Sequence, residues 1–174
     1  MRSPWIPLSI AAGALGLWIY SRTQSGSQVV ADFVGGAVGS VTSAIRGIRN
    51  NNPTNLENSG IQWDGVTGVD SEGYLVFGSM VEGLRAASKN LANYQNLHGI
   101  DTVDAAIRRW SATDQDAYVA NVAAALGVDP HDVVDLTDSS TQQVMLRAMI
   151  VQENGQAGSL LVPDSVIAEG IASA

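Results

Sequence analysis

Between Pro4 and Tyr20 the chain runs for seventeen residues without a charge, in PWIPLSIAAGALGLWIY, bracketed by Arg2 and Arg22. No other feature constrains the fold as much, because so apolar a stretch must be covered by lipid, covered by protein, or removed. Seventeen residues is the lower limit for a helix crossing a hydrocarbon core, and Trp5, Trp18 and Tyr20 stand near its two edges, where interfacial anchors belong. The pattern predicts a retained membrane-inserting (transmembrane) helix over residues 1–24. A cleaved signal peptide and a helix buried in a larger assembly are the competing readings; SRTQSGSQ, which follows, lacks the small-x-small pattern of a cleavage site. One arginine on each side leaves the orientation open.

A second weakly polar stretch, VVADFVGGAVGSVTSAI, spans residues 29–45. Gly35, Gly39 and Ser43 recur at every fourth position, the spacing that lets helix backbones approach closely. Asp32 and the Gly35-Gly36 pair argue against a second span, and a flexible Gly/Ala/Ser tether explains the composition equally well. Residues 25–45 are therefore expected as a helix or tether between the anchor and a globular domain over 46–174.

Charge narrows the partners. Seventeen Asp and Glu against nine Lys and Arg leave a net charge of −8, which opposes a phosphate-binding surface, so direct nucleic-acid binding is not expected. Without a cysteine there is no disulfide, thiolate metal site or cysteine nucleophile. No metal-ligand spacing or Gly-rich phosphate loop is present, and no cofactor is implied. His98 and His131 stand alone, as a helix-end residue and a polar-loop residue.

The globular part reads as α+β and mainly helical. IQWDG (61–65) and YLVFGS (74–79) are short β-type runs, and the turn-rich VTGVDSEG between them suits a hairpin. Val81, Leu84, Ala87, Leu91 and Tyr94 recur at spacings of three and four, which predicts a helix from Met80 to Leu97 stopped by Gly99. Thr102 caps a helix to Trp110, and Asp114 begins one that Gly127 ends. VDPHDVVDLTD is a loop, and two last helices run from about Ser140 to Glu153 and from Pro163 to Ala172.

Two features bear on chemistry. RGIRNNNPTNLENSGIQWDG (46–65) holds Asn50, Asn51, Asn52, Asn55, Asn58 and Gln62, then Trp63 and Asp64. Neutral donors and acceptors beside a flat aromatic suit sugar hydroxyls and acetamido groups, which makes Asn50, Asn51, Asn52, Asn55, Trp63 and Asp64 candidate substrate-binding residues. Asparagines bonded to their own backbone around Pro53 would give the same composition for purely structural reasons. The second feature is Glu153, which extends the apolar stripe of Leu146, Met149 and Ile150 at helical spacing. A carboxyl partly desolvated there, beside the unpaired carbonyls of a helix end, holds its proton to higher pH, as a general acid for a glycosidic oxygen must. An ordinary carboxylate at a frayed helix end is the alternative. Glu57 and Asp64 are candidates for a second carboxylate.

These blocks, in order, are RGIRNNNPTN, Trp63 with Gly65, Phe77 and Ser79 with GLRA (83–86), Thr102 to Trp110, Asp114 to Val128, and RAMIVQENG (147–155). Together they resemble a family of bacteriophage virion proteins of the P5-like kind, some of which look like peptidoglycan-degrading, lytic-transglycosylase or lysozyme-like modules. The resemblance covers residues 46 to about 172. It implies a small lysozyme-like domain in the virion, associated with a membrane, with peptidoglycan, lipid and other virion proteins as partners. Its activity would be either peptidoglycan cleavage with Glu153 as catalytic acid or a non-catalytic structural role. This chain departs from the family pattern at Thr54, where glycine is usual, and at RWSAT, where alanine and proline usually follow the tryptophan.

Overall fold

A computed structural model describes residues 35–40 and 42–174 in full and, ahead of them, only the backbone of Ser9–Ile10 and Leu17–Trp18. The expected membrane-inserting helix over 1–24 otherwise lies outside the described residues. At those four positions the backbone is extended and not helical: β1 (Ser9–Ile10) and β2 (Leu17–Trp18) pair antiparallel, Ser9 opposite Trp18 and Ile10 opposite Leu17. Ile, Leu and Trp suit an extended backbone as readily as an apolar helix when the residues are few. Residues 35–40 are helical. Among the described residues no helix is long and apolar enough to cross a membrane. The chain divides between Val41 and Thr42, and the second unit, Thr42–Ala174, carries the fold described below.

In that unit residues 42–44 are helical, and a single helical turn, α1 (Arg46–Arg49), leads into the asparagine loop. A hairpin then pairs β3 (Val66–Val69) with β4 (Leu75–Phe77), with a register shift between Val66 and Gly68. The hairpin was expected, but its first strand was not: VTGV, read as turn, is the strand, while IQWDG lies outside it. The cause is local. Asp70 closes the turn by accepting the Glu72 and Tyr74 N–H groups at 2.9 and 3.0 Å, and Gly73 takes φ 95°. A turn confined to residues 70–73 leaves 66–69 to pair.

Three helices start where a side-chain oxygen takes a backbone N–H of the first turn. Ser79 opens α2 (Met80–His98), Thr102 opens α3 (Val103–Trp110), and Asp138 opens α5 (Ser139–Ser159). Between the last two runs α4 (Gln115–Leu126), and α6 (Asp164–Ala172) closes the chain after Pro163. Gly99 and Gly127, both left-handed, end α2 and α4 as the sequence requires. α5 breaks at Gly155, whose φ of 67° and ψ of 175° lie outside any helix, so the expected stop after Glu153 is a kink followed by another short helical piece.

Burial divides the unit into two clusters. Leu84, Leu91, Ile107, Val122, Met145, Leu146, Met149 and Ile150 form the helical core, each fully buried and worth about 1.5–3 kcal/mol by removal from water. Leu56, Leu75, Phe77 and Ala86 form a smaller cluster beneath the hairpin. Trp110 packs against both, its ring edge-on to Tyr94 at 6.3 Å. The seam between the clusters is where the candidate site lies.

Candidate active site

At this seam a cleft of about 230 Å³ is lined by residues far apart in sequence: Arg46 from α1, Asn55 and Glu57 from the asparagine loop, Tyr74 from the hairpin, Trp110 and the segment 111–114, Tyr118 from α4, and Gln152 and Glu153 from α5. Beside it, two hydrogen bonds tie the asparagine loop to α5. Asn55 donates its side-chain N–H to Glu153 Oε2 at 2.8 Å across 98 positions. Next to it, Asn154 donates to the Pro53 carbonyl at 2.6 Å and to the Ile150 carbonyl at 2.9 Å. The RNNNPTN and ENG blocks are thus two halves of one structure.

The loop's geometry explains why asparagine recurs in it. Asn51 and Asn55 hold φ of 52° and 49°, a left-handed conformation that asparagine tolerates better than most residues. Thr54 does not carry a positive φ, so threonine is unstrained there; its carbonyl accepts the Trp110 indole N–H at 3.2 Å. The candidate binding residues separate accordingly. Asn52, fully buried, donates to the Leu56 and Leu75 carbonyls and accepts the Leu56 N–H. Asn51 donates to the Phe77 carbonyl, and Asn50 donates to Asp70. None of these three lines the cleft. Trp63 packs on the hairpin cluster, and Asp64 is exposed, 3.9 Å from Arg85. Of the residues singled out from sequence, the cleft brings together Glu153, Asn55 and Glu57.

Electrostatics set the state of the acid. Burial pushes the Glu153 carboxyl above its ordinary range, outweighing the opposing pull of the Asn55 amide, the Tyr118 hydroxyl and the Arg46 charge, while Glu57 adds to the rise. Arg46 is itself engaged elsewhere, paired with Glu72 on the hairpin turn and lying 3.8 Å over the Tyr74 ring. A partner-holding guanidinium neutralises a neighbouring carboxylate less than a free one would. The Tyr118 phenol, 2% exposed, is pushed far up by burial and then by Glu153. Among the described residues, the buried side-chain polar atoms without a hydrogen-bond partner are Arg46 Nε, Thr54 Oγ1, Asn55 Oδ1, Tyr118 Oη and Asn154 Oδ1. Three of those five residues line the cleft and the other two flank it in the chain. An unpaired buried polar group costs about 1–3 kcal/mol, and these atoms gather at the cleft and beside it.

Sequence reasoning missed Tyr118, Arg46 and the 111–114 segment. Tyr118 sits on the apolar stripe of α4 and reads as core; Arg46 reads as a surface charge. Among the described residues no group of His, Asp and Glu is gathered to hold a metal. His98 and His131 are both exposed.

A raised carboxyl pKa has a consequence for stability. The fold favours the protonated form of Glu153, so its contribution is complete below about pH 4.5, the free value, and is lost as pH rises through the folded value. Glu153→Gln has no proton to lose there. The thermal midpoint of the parent chain is expected to fall relative to Glu153→Gln as pH rises from 4.5 toward neutrality; parallel curves over that range would show that the carboxyl titrates as if in water.

No family model matches the chain. It is 30% identical over 122 residues to Protein P5 of Pseudoalteromonas phage PM2, a match that takes in 66% of this chain and 74% of that protein.

Proposed function

The chain belongs to the family of Protein P5 of Pseudoalteromonas phage PM2, and from that premise we propose that it is a virion protein that acts on peptidoglycan at the cell envelope during genome delivery. In this reading residues 1–24 associate with lipid, residues 25–45 connect, and the globular domain from residue 46 works as a lytic-transglycosylase-like module. The observation that carries it is the half-buried Glu153 carboxyl, held by Asn55 in a cleft walled by Trp110 and Tyr118.

The chemistry follows from that geometry. A carboxyl that holds its proton to higher pH than a free one delivers it to the glycosidic oxygen as the bond to the anomeric carbon breaks; in a transglycosylase the sugar's own 6-hydroxyl then closes on that carbon and returns a proton to the carboxylate. Trp110 offers the sugar an apolar face, and the side chains of Asn55 and Arg46 line the same cleft, where amide and guanidinium groups suit an acetamido group. Asn55 keeps the substrate role assigned to it from sequence. Asn50, Asn51, Asn52 and Trp63 hold the loop and hairpin that present it, and Asp64 stands outside the cleft.

The test is release of soluble muropeptides from purified peptidoglycan by the full chain and by Glu153→Gln. General acid catalysis contributes roughly 10²–10⁴-fold, so the variant should lose at least about 100-fold while unfolding at or above the parent's temperature at pH 7. Anhydro sugar ends in the products would identify a transglycosylase.

A second reading rests on the same hydrogen bonds. Asn55 to Glu153 and Asn154 to Pro53 staple loop to helix, which serves a non-catalytic minor capsid, vertex or membrane protein as well as an enzyme. A folded parent that releases no muropeptides supports this structural role.

A further inference from the structure

The cleft holds one buried hydroxyl that the acid mechanism has not yet used. Tyr118 lies at the end of the first turn of α4, is 2% exposed, and lines the same cleft as Glu153 with Oη unpaired, the two groups shifting each other's ionisation. Its neighbours across the cleft are Arg46 on α1, Asn55 and Glu57 on the loop, Tyr74 on the hairpin, Asp114 ahead of α4, and Glu153 on α5. Of these, Arg46 is committed to Glu72 and the Tyr74 ring, and the Asn55 amide already serves Glu153 Oε2. The carboxyl therefore has one neutral donor fixed on Oε2 and, in the same cleft wall, one buried hydroxyl that favours its ionised form.

We propose that Tyr118 is a positioning residue for Glu153, its hydroxyl oxygen accepting a hydrogen bond from the protonated carboxyl in the resting state and its O–H donating to the carboxylate once that proton has been passed on. A carboxyl donates from one oxygen while accepting on the other, and a phenol can do either, so the pair stays satisfied in both states. The proton of Glu153 goes to the leaving oxygen; none leaves Tyr118, whose own ionisation is driven far beyond the working range by burial and by Glu153. Hydrogen bonds to a charged oxygen are shorter and stronger than neutral ones, so the tyrosine favours the carboxylate left after transfer more than the acid before it.

This rests on Glu153 acting as the acid, but its test does not need the enzyme to turn over. The carboxyl carbon of Glu153 is followed by NMR against pH in the full chain and in Tyr118→Phe, with Glu153→Gln used for assignment. Removal of the hydroxyl should raise the midpoint by about one pH unit, ten-fold in the ionisation constant. An unchanged or lowered midpoint overturns the proposal. Should Tyr118→Phe not fold, the Tyr118 hydroxyl proton of the parent gives the same answer: its resonance should move downfield as pH crosses the Glu153 midpoint, and should show no such step in Glu153→Gln. A resonance indifferent to that midpoint overturns it. Failure to release muropeptides would count against the catalytic reading alone, whereas an indifferent Tyr118 would count against the pairing alone.

Discussion

Asn52→Ala is expected to lower the unfolding free energy of the domain by about 3–5 kcal/mol, a large share of what such a domain possesses. Asn52 is 0% exposed and makes three hydrogen bonds, at 2.9 Å to the Leu56 carbonyl, 2.9 Å to the Leu75 carbonyl and 2.8 Å from the Leu56 N–H. Each bond is worth about 1 kcal/mol net, and the buried Leu56 N–H left without an acceptor adds the larger penalty of an orphaned group. Asn52→Asp sharpens the test, because aspartate keeps the acceptor and the shape but turns the two donor contacts into repulsions with carbonyls. It should be no more stable than the alanine variant. Urea unfolding, with midpoint lowered and slope unchanged, is the measurement. A loss under about 1 kcal/mol would mean that the asparagine loop does not depend on its side chains.

Gly83→Ala should be destabilising by about 3 kcal/mol or more, opposite in sign to what its position suggests. Within a helix, alanine is ordinarily favoured over glycine by about 1 kcal/mol. Here a Cβ at Gly83 would stand 2.0 Å from the Asn51 backbone carbonyl oxygen and 3.3 Å from the Phe77 ring. A backbone atom cannot rotate away as a flexible side chain can, so either the asparagine loop lifts from α2 or the helix shifts. Lifting the loop would carry Asn55 away from Glu153. The variant should therefore also lose the pH signature that separates the parent from Glu153→Gln. Neutral or increased thermal stability in Gly83→Ala would show that the loop does not rest on this helix as described.

Both effects come from residues whose side chains, or lack of one, serve the backbone of a distant segment. Their importance could not be read from local pattern. The helices could: the apolar spacing from Val81 to Tyr94, the cap at Thr102, and the stops at Gly99 and Gly127 are interactions within a few residues of one another. The hairpin was half legible. Strand propensity favoured IQWDG over VTGV, and the turn chemistry of Asp70 and Gly73 overruled it.

The candidate site divides in the same way. Glu153 was visible as a carboxylate continuing an apolar stripe, because helical periodicity is local. Asn55 could not be told apart from Asn50, Asn51 and Asn52, since residue type alone does not say which amide meets a backbone carbonyl and which meets an acid 98 positions away. Tyr118 was concealed for the opposite reason: on a helix a tyrosine among alanines and valines looks like packing, and only its placement beside Glu153 turns its hydroxyl into a chemical group.

By itself the sequence determined a helical domain with a small hairpin, the caps and stops that divide it, and one acid placed to be desolvated, since each depends on neighbours within a turn or two. Only the tertiary structure decided which of the asparagines faces the cleft, which hydroxyl shares it with the acid, and that two blocks at opposite ends of the domain meet there. Those outcomes depend on contacts between segments far apart in the chain, and such contacts exist only once the core has brought the segments together.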